Sequence, residues 1–396
     1  MKKLFLSIAA ILMSLNIFAD ELPKTADIKC GPWVVGVTET EMTIVWTSTS
    51  RCMGWVEVAP DDGSSFYAEE RPRFHEDLMG RHIISDVHHV RLTNLKPGTV
   101  YRYRLFQQCI DDSGHSPIPL GRVTASNVYS RRPYAVRTLD KSKEEIRFTM
   151  INDIHGRDSI MNAHTKDIPA KKPDFVVFNG DMVSFMGSVA DIESGFMTRA
   201  SKNFSPDFPL VYVRGNHEAR GPGYKEFLNL FPTPTNTPSF MFRHGPAVFL
   251  VLDCGEDKPD SDIEYGGTAA YDAYREQIAA WLKQAIESEE YKSAPVKIAL
   301  MHIPFEKNAG WWGNNELKRL LLPLLNEANI DVMLCGHNHS YSFREKGSLN
   351  GNEFPILVNS NNDRVEVKVT KNDIRMDVVD AVGKTIHQHV VKVVCK

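Results

Sequence analysis

Five short motifs in this sequence combine residue types that can hold metal ions: Asp153-Ile154-His155, Gly180-Asp181, Gly215-Asn216-His217-Glu218, Met301-His302 and Gly336-His337-Asn338-His339. They offer carboxylate and amide oxygens and imidazole nitrogens, with no thiolate. That mixture suits Fe, Mn or Zn better than Ca, which prefers an all-oxygen shell. Asp153, His155, Asp181, Asn216, His302, His337 and His339 are too many ligands for one tetrahedral ion. They suit two neighbouring ions that share a carboxylate. In an extended segment the i, i+2 spacing of His337 and His339 turns both imidazoles to one side, and Asp153 and His155 share that spacing. Two adjacent cations screen the charge of a phosphoryl group and lower the pKa of a bound water from ~15.7 toward ~7. The expected chemistry is hydrolysis by a metal-activated hydroxide. Asn152 is a candidate to hold a ligand in place.

The elements that must position these residues are legible as hydrophobic runs. Strand-like stretches at 146–151, 175–178, 210–213, 296–301 and 330–334 each end just before one of the motifs. Helical patterns at 159–166, 271–288 and 317–326 alternate with them, and the chain turns strand-rich again from Ile356. Alternation of this kind predicts an α/β domain with buried sheets. Ligands bind at the carboxyl ends of strands in such sheets, so motifs distant in sequence are expected to converge.

The rest of the chain has a different texture. Residues 1–19 join a Lys2-Lys3 start to an apolar run ending at Ala19, the pattern of a signal peptide, which predicts export to a periplasmic or extracellular space. No later run is long and apolar enough to predict a membrane span. Residues 20–127 read as an all-β domain of short antiparallel strands, among them Met42–Trp46 and Trp55–Val58. Its histidines (His75, His82, His88, His89, His115) read as surface or half-buried strand residues. Residues 128–145 read as a polar linker and 146–396 as the α/β domain. Six cysteines allow many pairings, Cys52 with Cys109 being one guess. A formal charge of −4 in 396 residues gives no basic platform for nucleic acid.

The five motifs in this order resemble those of the calcineurin-like metallophosphoesterases. Leu95-Lys96-Pro97-Gly98-Thr99-Val100-Tyr101-Arg102-Tyr103, with Trp46 as a core tryptophan, resembles fibronectin type III domains. The two together resemble the purple acid phosphatase branch. The resemblance implies a fibronectin III-like sandwich followed by an α/β sandwich of two mixed sheets flanked by helices. It implies that Asp181 bridges two metals, that Asp153, His155 and His339 hold the first and that Asn216, His302 and His337 hold the second. His217 would be the catalytic histidine that is not a ligand. The implied activity is a phosphomonoesterase on a small-molecule or nucleotide phosphate ester. A phosphodiesterase or nucleotidase is the alternative, and a non-catalytic surface binding protein a further reading. Two departures matter. Ser184 stands where that branch carries the tyrosine that colours its ferric centre, while His155 supplies an imidazole that branch lacks. Trp311 and Trp312 stand where plant members carry paired histidines, and either stack on a substrate ring or pack as a lid. Arg157 is a candidate phosphate contact or a loop arginine.

Overall fold

A computed structural model describes residues 23–126, 132–308 and 310–393. The expected leader at 1–19 and Cys395 lie outside the described residues. The N-terminal sheet comprises β1 (Ile28–Val35), β2 (Met42–Pro60), β3 (Arg73–His75), β6 (Ile84–Leu92), β7 (Val100–Asp111), β8 (Ile118–Ala125) and β9 (Tyr134–Arg137). A small hairpin, β4 (Asp77–Leu78) and β5 (Arg81–His82), lies beside it.

The stretches expected as two strands, Met42–Trp46 and Trp55–Val58, are one strand of 19 residues. The Ser/Thr-rich stretch between them stays extended, and the register against β6 shifts between Thr47 and Cys52. Such an irregularity bends a strand. The first part of β2 lies between β1 and β6, and the second between β3 and β7. β9 falls within the expected linker at 128–145, yet pairs with β7 through Tyr103 and Tyr134. Trp46 is buried, and its Nε1 donates to Gln107 Oε1 at 2.9 Å. His88 is buried too, against expectation: it stacks on Trp46 at 4.7 Å, and burial pushes its pKa down to about 4. Cys52 and Cys109 share a small buried cluster as free thiols.

Two further sheets follow. The first has the order β12 (Leu210–Val213), β11 (Phe175–Asn179), β10 (Glu145–Ile151), β19 (Arg364–Thr370), β20 (Asp373–Val379), β21 (Thr385–Lys392). The second has the order β13 (Phe240–His244), β14 (Ala247–Leu252), β15 (Val296–Met301), β16 (Val332–Cys335), β18 (Ile356–Val358), β17 (Ser342–Arg344). β10, β11 and β12 run parallel, as do β14, β15, β16 and β18, and antiparallel strands complete each sheet. β11 and β14 are buried at every position, which is why they read as continuous apolar runs rather than alternating ones.

Phe148, Phe175 and Phe249 pack on one another with centroids 5.0–5.5 Å apart. Helices Tyr271–Ala285 and Trp312–Glu327 cover the second sheet through Leu282 and Leu321, which cluster with Leu250 and Met333. Met161 and Phe196 cluster with Phe178 of the first sheet. The N-terminal sheet is built onto this body. Val34, Trp46 and Leu105 belong to the same buried cluster as Phe148 and Phe249. Trp33 Nε1 donates to Leu230 O at 2.7 Å and Tyr103 Oη to Pro206 O at 2.6 Å, both out of solvent.

Trp33 thus couples the N-terminal sheet to the α/β body. Trp33→Ala is expected to cost about 3–5 kcal/mol, the range for truncating a buried aromatic side chain, with the lost bond to Leu230 contributing. Urea unfolding checks this, and a loss below about 1 kcal/mol would contradict the joint core.

Candidate metal centre

The parallel strands deliver all five motifs to one edge of the two sheets. β10 ends two residues before Asp153, β11 two before Asp181 and β12 three before Asn216, while β15 leads directly into His302 and β16 into Gly336-His337. Backbone bonds carry the pairing past the strand ends. Asp153 N donates to Gly180 O, His155 N to Asp181 O and Gly336 N to His302 O, at 2.9, 3.1 and 3.0 Å.

Three overlapping groups result: Asp153, His155 and His339; His155, Asp181 and His217; and Asp181, His302 and His337. Within each, the donor atoms lie within 4.8 Å of one another. Asp153, Asp181, Asn216 and His302 are at most 1% exposed. The His155, His217 and His339 side chains, 15, 23 and 48% exposed, form the open side.

The backbone there takes an unusual form. Asp153, His155, Asp181, His337 and His339 all have φ between 49° and 71°. Residues other than glycine rarely adopt this left-handed region, at a cost of about 1–3 kcal/mol each, and such strain gathers at functional sites. This corrects the expectation of an extended His337-Asn338-His339: the left-handed turns send the two imidazoles to different groups. The motif glycines are needed for close approach. An added Cβ would lie 2.4 Å from His302 Nδ1 at Gly180, 2.2 Å from Asp181 Oδ1 at Gly215 and 2.6 Å from Asp153 Oδ2 at Gly336.

The hydrogen bonds around the cluster aim its donor atoms inward. His302 Nδ1 donates to Asn179 O at 2.7 Å, leaving Nε2 for the centre. His155 Nδ1 meets Ser184 Oγ at 3.2 Å, and its Nε2 lies 3.0 Å from His339 Nε2. Asp153 Oδ2 accepts from His337 N at 2.8 Å and Asn152 Nδ2 at 2.7 Å. His302 Nε2 lies 2.9 Å from Asp181 Oδ2, and Asp153 Oδ1 lies 3.2 Å from His339 Nε2. Buried carboxylate oxygens this close to imidazole nitrogens, with the His155 and His339 nitrogens facing one another, fit a site for cations.

The electrostatics point the same way. Burial opposes a charge on His302, but Asp181 and Asp153 override it and push the pKa up to about 10. Burial likewise opposes ionisation of the two carboxylates, yet the His302 charge holds both below the usual carboxylate range. Burial pushes His337 down to about 4. The two aspartates draw a positive charge to this point. Asn216 Oδ1 lies 3.1 Å from His337 Nδ1. The reversed amide would turn Nδ2 toward His337 and Asp181 and its oxygen toward Arg220. A cation in the cluster favours the first orientation, because the carbonyl oxygen is the ligand atom.

The profile of the calcineurin-like phosphoesterases matches residues 146–341. Residues 146–341 are a calcineurin-like phosphoesterase domain. It is 25% identical over 293 residues to purple acid phosphatase 15 of Arabidopsis thaliana, covering 64% of this chain and 49% of that protein. It is 26% identical over 176 residues to the serine/threonine-protein phosphatase CPPED1 of Mus musculus, covering 42% of this chain and 54% of that protein. The chain thus spans about half the length of these relatives. A solved structure of GAP50, the anchor in the inner membrane complex of Plasmodium, shares the fold with a TM-score of 0.50 and 16% identity over 64% of this chain and 90% of that one.

Several residues of this phosphoesterase domain acquire roles that spacing alone did not reveal. Glu218, fully buried, accepts from Asp181 N, Met182 N, Gly215 N and Tyr212 Oη at 2.8–2.9 Å, tying two metal-site loops together. Ser184 supports two histidines, through Oγ to His155 and through its carbonyl to His217 Nδ1 at 2.7 Å. Arg220 Nη1 sits 3.2 Å from His217 Nε2, and its other nitrogens are held by Glu256 and Asp257. The guanidinium of Arg157 is committed to the fold: it donates to Ile154 O, Asp153 O, Asn361 O and Asn362 Oδ1. Trp311 and Trp312 are 62 and 45% exposed, and Trp312 Nε1 donates to Asp272 Oδ1 at 2.9 Å, so neither is a packed lid.

Glu218→Gln replaces an acceptor for four donors with an amide that turns its own donor toward some of them. A stability loss of about 1–3 kcal/mol is expected, with weaker metal retention by elemental analysis after dialysis. Wild-type stability and metal content together would show that Glu218 does not organise the loops.

Proposed function

We propose that this chain hydrolyses phosphate esters, phosphomonoesters foremost, at the cluster around Asp181. One observation carries the reading: the buried Asp181 carboxylate lies among His155 and His217 on one side and His302 and His337 on the other, and His155 belongs also to the group of Asp153 and His339. On this reading Asp153, His155 and His339 hold one ion, Asn216, His302 and His337 hold a second, and Asp181 serves both. The all-N/O donor set favours Fe, Mn or Zn. When bound, such ions screen phosphoryl charge and lower the pKa of a coordinated water.

The protein's own groups supply orientation and a proton. His217 N donates to Asp181 Oδ1 at 2.9 Å, fixing the backbone beside the bridge. With Nδ1 bonded to the Ser184 carbonyl, His217 turns Nε2 toward Asp181, 3.8 Å away, and Arg220. As the imidazolium, with protons on both nitrogens, His217 then presents Nε2 to contact a phosphoryl oxygen or to give its proton to the leaving oxygen. Water's oxygen bonds to phosphorus, the ester P–O bond breaks, and the alcohol departs protonated.

Other parts of the reading rest on sequence. Export is supported by the pattern of residues 1–19. Among the described residues no helix is long and apolar enough to cross a membrane. A fibronectin III-like identity for 20–127 is supported by its antiparallel strands and the buried Trp46.

His217→Ala is expected to lower kcat on p-nitrophenyl phosphate by ~10²–10⁴-fold with metal content unchanged. A chelator should abolish turnover, and Mn, Fe or Zn should restore it. Unaltered turnover in either experiment would contradict the proposal. With Ser184 and not a phenolate beside His155, the iron-loaded protein is expected to lack a visible tyrosinate charge-transfer band, and such a band would overturn the assignment.

A further inference from the structure

Beside the metal cluster lies a cavity of about 940 Å³, far larger than a phosphate group requires. Arg220 belongs to both places: it lines this cavity and its Nη1 touches His217 Nε2 at 3.2 Å. The walls come from loops that also shape the centre. Phe185 follows Ser184, and the loop holding it is zipped to the loop after His217 through Met186 N to Arg220 O at 2.9 Å and Gly223 N to Met186 O at 2.8 Å. Gly221, with φ +90°, lets the Phe185 ring lie against its backbone, since an added Cβ would sit 2.6 Å from Phe185 Cζ.

A third of the lining is aromatic, and Arg214, Arg220, Lys225 and Glu264 stand at other points of the wall. Phe185 and Tyr224 are each 54% exposed. Tyr265, Tyr271 and Tyr274 line the cavity too, but their hydroxyls are engaged elsewhere. They donate to Glu256 Oε2 at 2.9 Å, Ala219 O at 3.4 Å and Asp253 Oδ2 at 2.7 Å. What these tyrosines offer is therefore ring rather than hydroxyl. Such rings suit a flat apolar group.

We propose that this cavity receives the leaving group of the substrate and selects esters whose alcohol carries a planar aromatic ring, of the nucleoside or arylalkyl class. Phosphate sits at the cluster, the ester oxygen passes His217 and Arg220, and the ring stacks between Phe185 and Tyr224. The proposal rests on the phosphoesterase reading above.

The test compares kcat/KM of the metal-loaded full chain on AMP and on ribose 5-phosphate, which share an alkyl ester and differ in the ring. 1-Naphthylmethyl phosphate against methyl phosphate asks whether a ring without ribose suffices. Stacking on protein aromatics implies a preference of roughly tenfold or more for each aromatic ester. Phe185→Ala and Tyr224→Ala should each narrow it, the second without touching the Gly221 contact. Ratios within about twofold in the wild type would overturn the proposal. A ring preference restricted to AMP would place the nucleoside alone in the cavity. Titration calorimetry with adenosine separates this idea from the one beneath it. If no ester is hydrolysed, the phosphoesterase reading fails, but saturable adenosine binding lost in Tyr224→Ala would still support the cavity, and the absence of binding would overturn it.

Discussion

Asp153 and Asp181 are carboxylates with almost no access to water, and they approach the same imidazoles. Two like charges buried together are costly unless positive charge joins them. Without a cation, that charge comes from a proton on His302, which explains its raised pKa. Carboxylate oxygens and imidazole nitrogens facing one another mark the same place. The site is therefore organised around a demand for cations, and the surrounding structure holds that demand in place.

Several devices keep the carboxylates there. Parallel strands from two sheets end at one edge, so rigid ladders rather than free loops set the separation of the motifs. Glycines at 180, 215 and 336 allow backbone to approach side chains more closely than any Cβ would permit. Left-handed turns at five of the candidate ligands re-aim side chains that ordinary extended backbone would point elsewhere. Glu218 gathers the backbone amides of two loops onto one buried carboxylate. The N-terminal sheet adds to this frame by sharing a core with the α/β body, so it is more than a tethered neighbour.

Much of this was legible in the sequence where physics is local. Runs such as Phe175–Phe178 and Val296–Met301 announce buried parallel strands, and a metal-binding residue type within three residues of each announces a strand-end site. What depends on loops meeting across the sheets was hidden. The bond from His155 to Ser184 and the contact of Arg220 with His217 join residues whose partners cannot be read from spacing. Left-handed φ at His337 and His339 contradicts the extended geometry that i, i+2 spacing suggests. Arg157 could be read as a phosphate contact or a loop arginine, and only the fold shows its nitrogens bonded to the loop at Asn361 and Asn362. In the N-terminal sheet, the polar stretch between the two expected strands continues as β-strand, with a register shift against β6.

The central claim is that two ions share Asp181. Anomalous diffraction from crystals of the full chain grown with Mn tests it most directly. Two peaks are predicted, one amid Asp153, His155 and His339 and the other amid Asn216, His302 and His337, both within bonding distance of the Asp181 carboxylate. A single peak, or two peaks of which one does not contact Asp181, would contradict it.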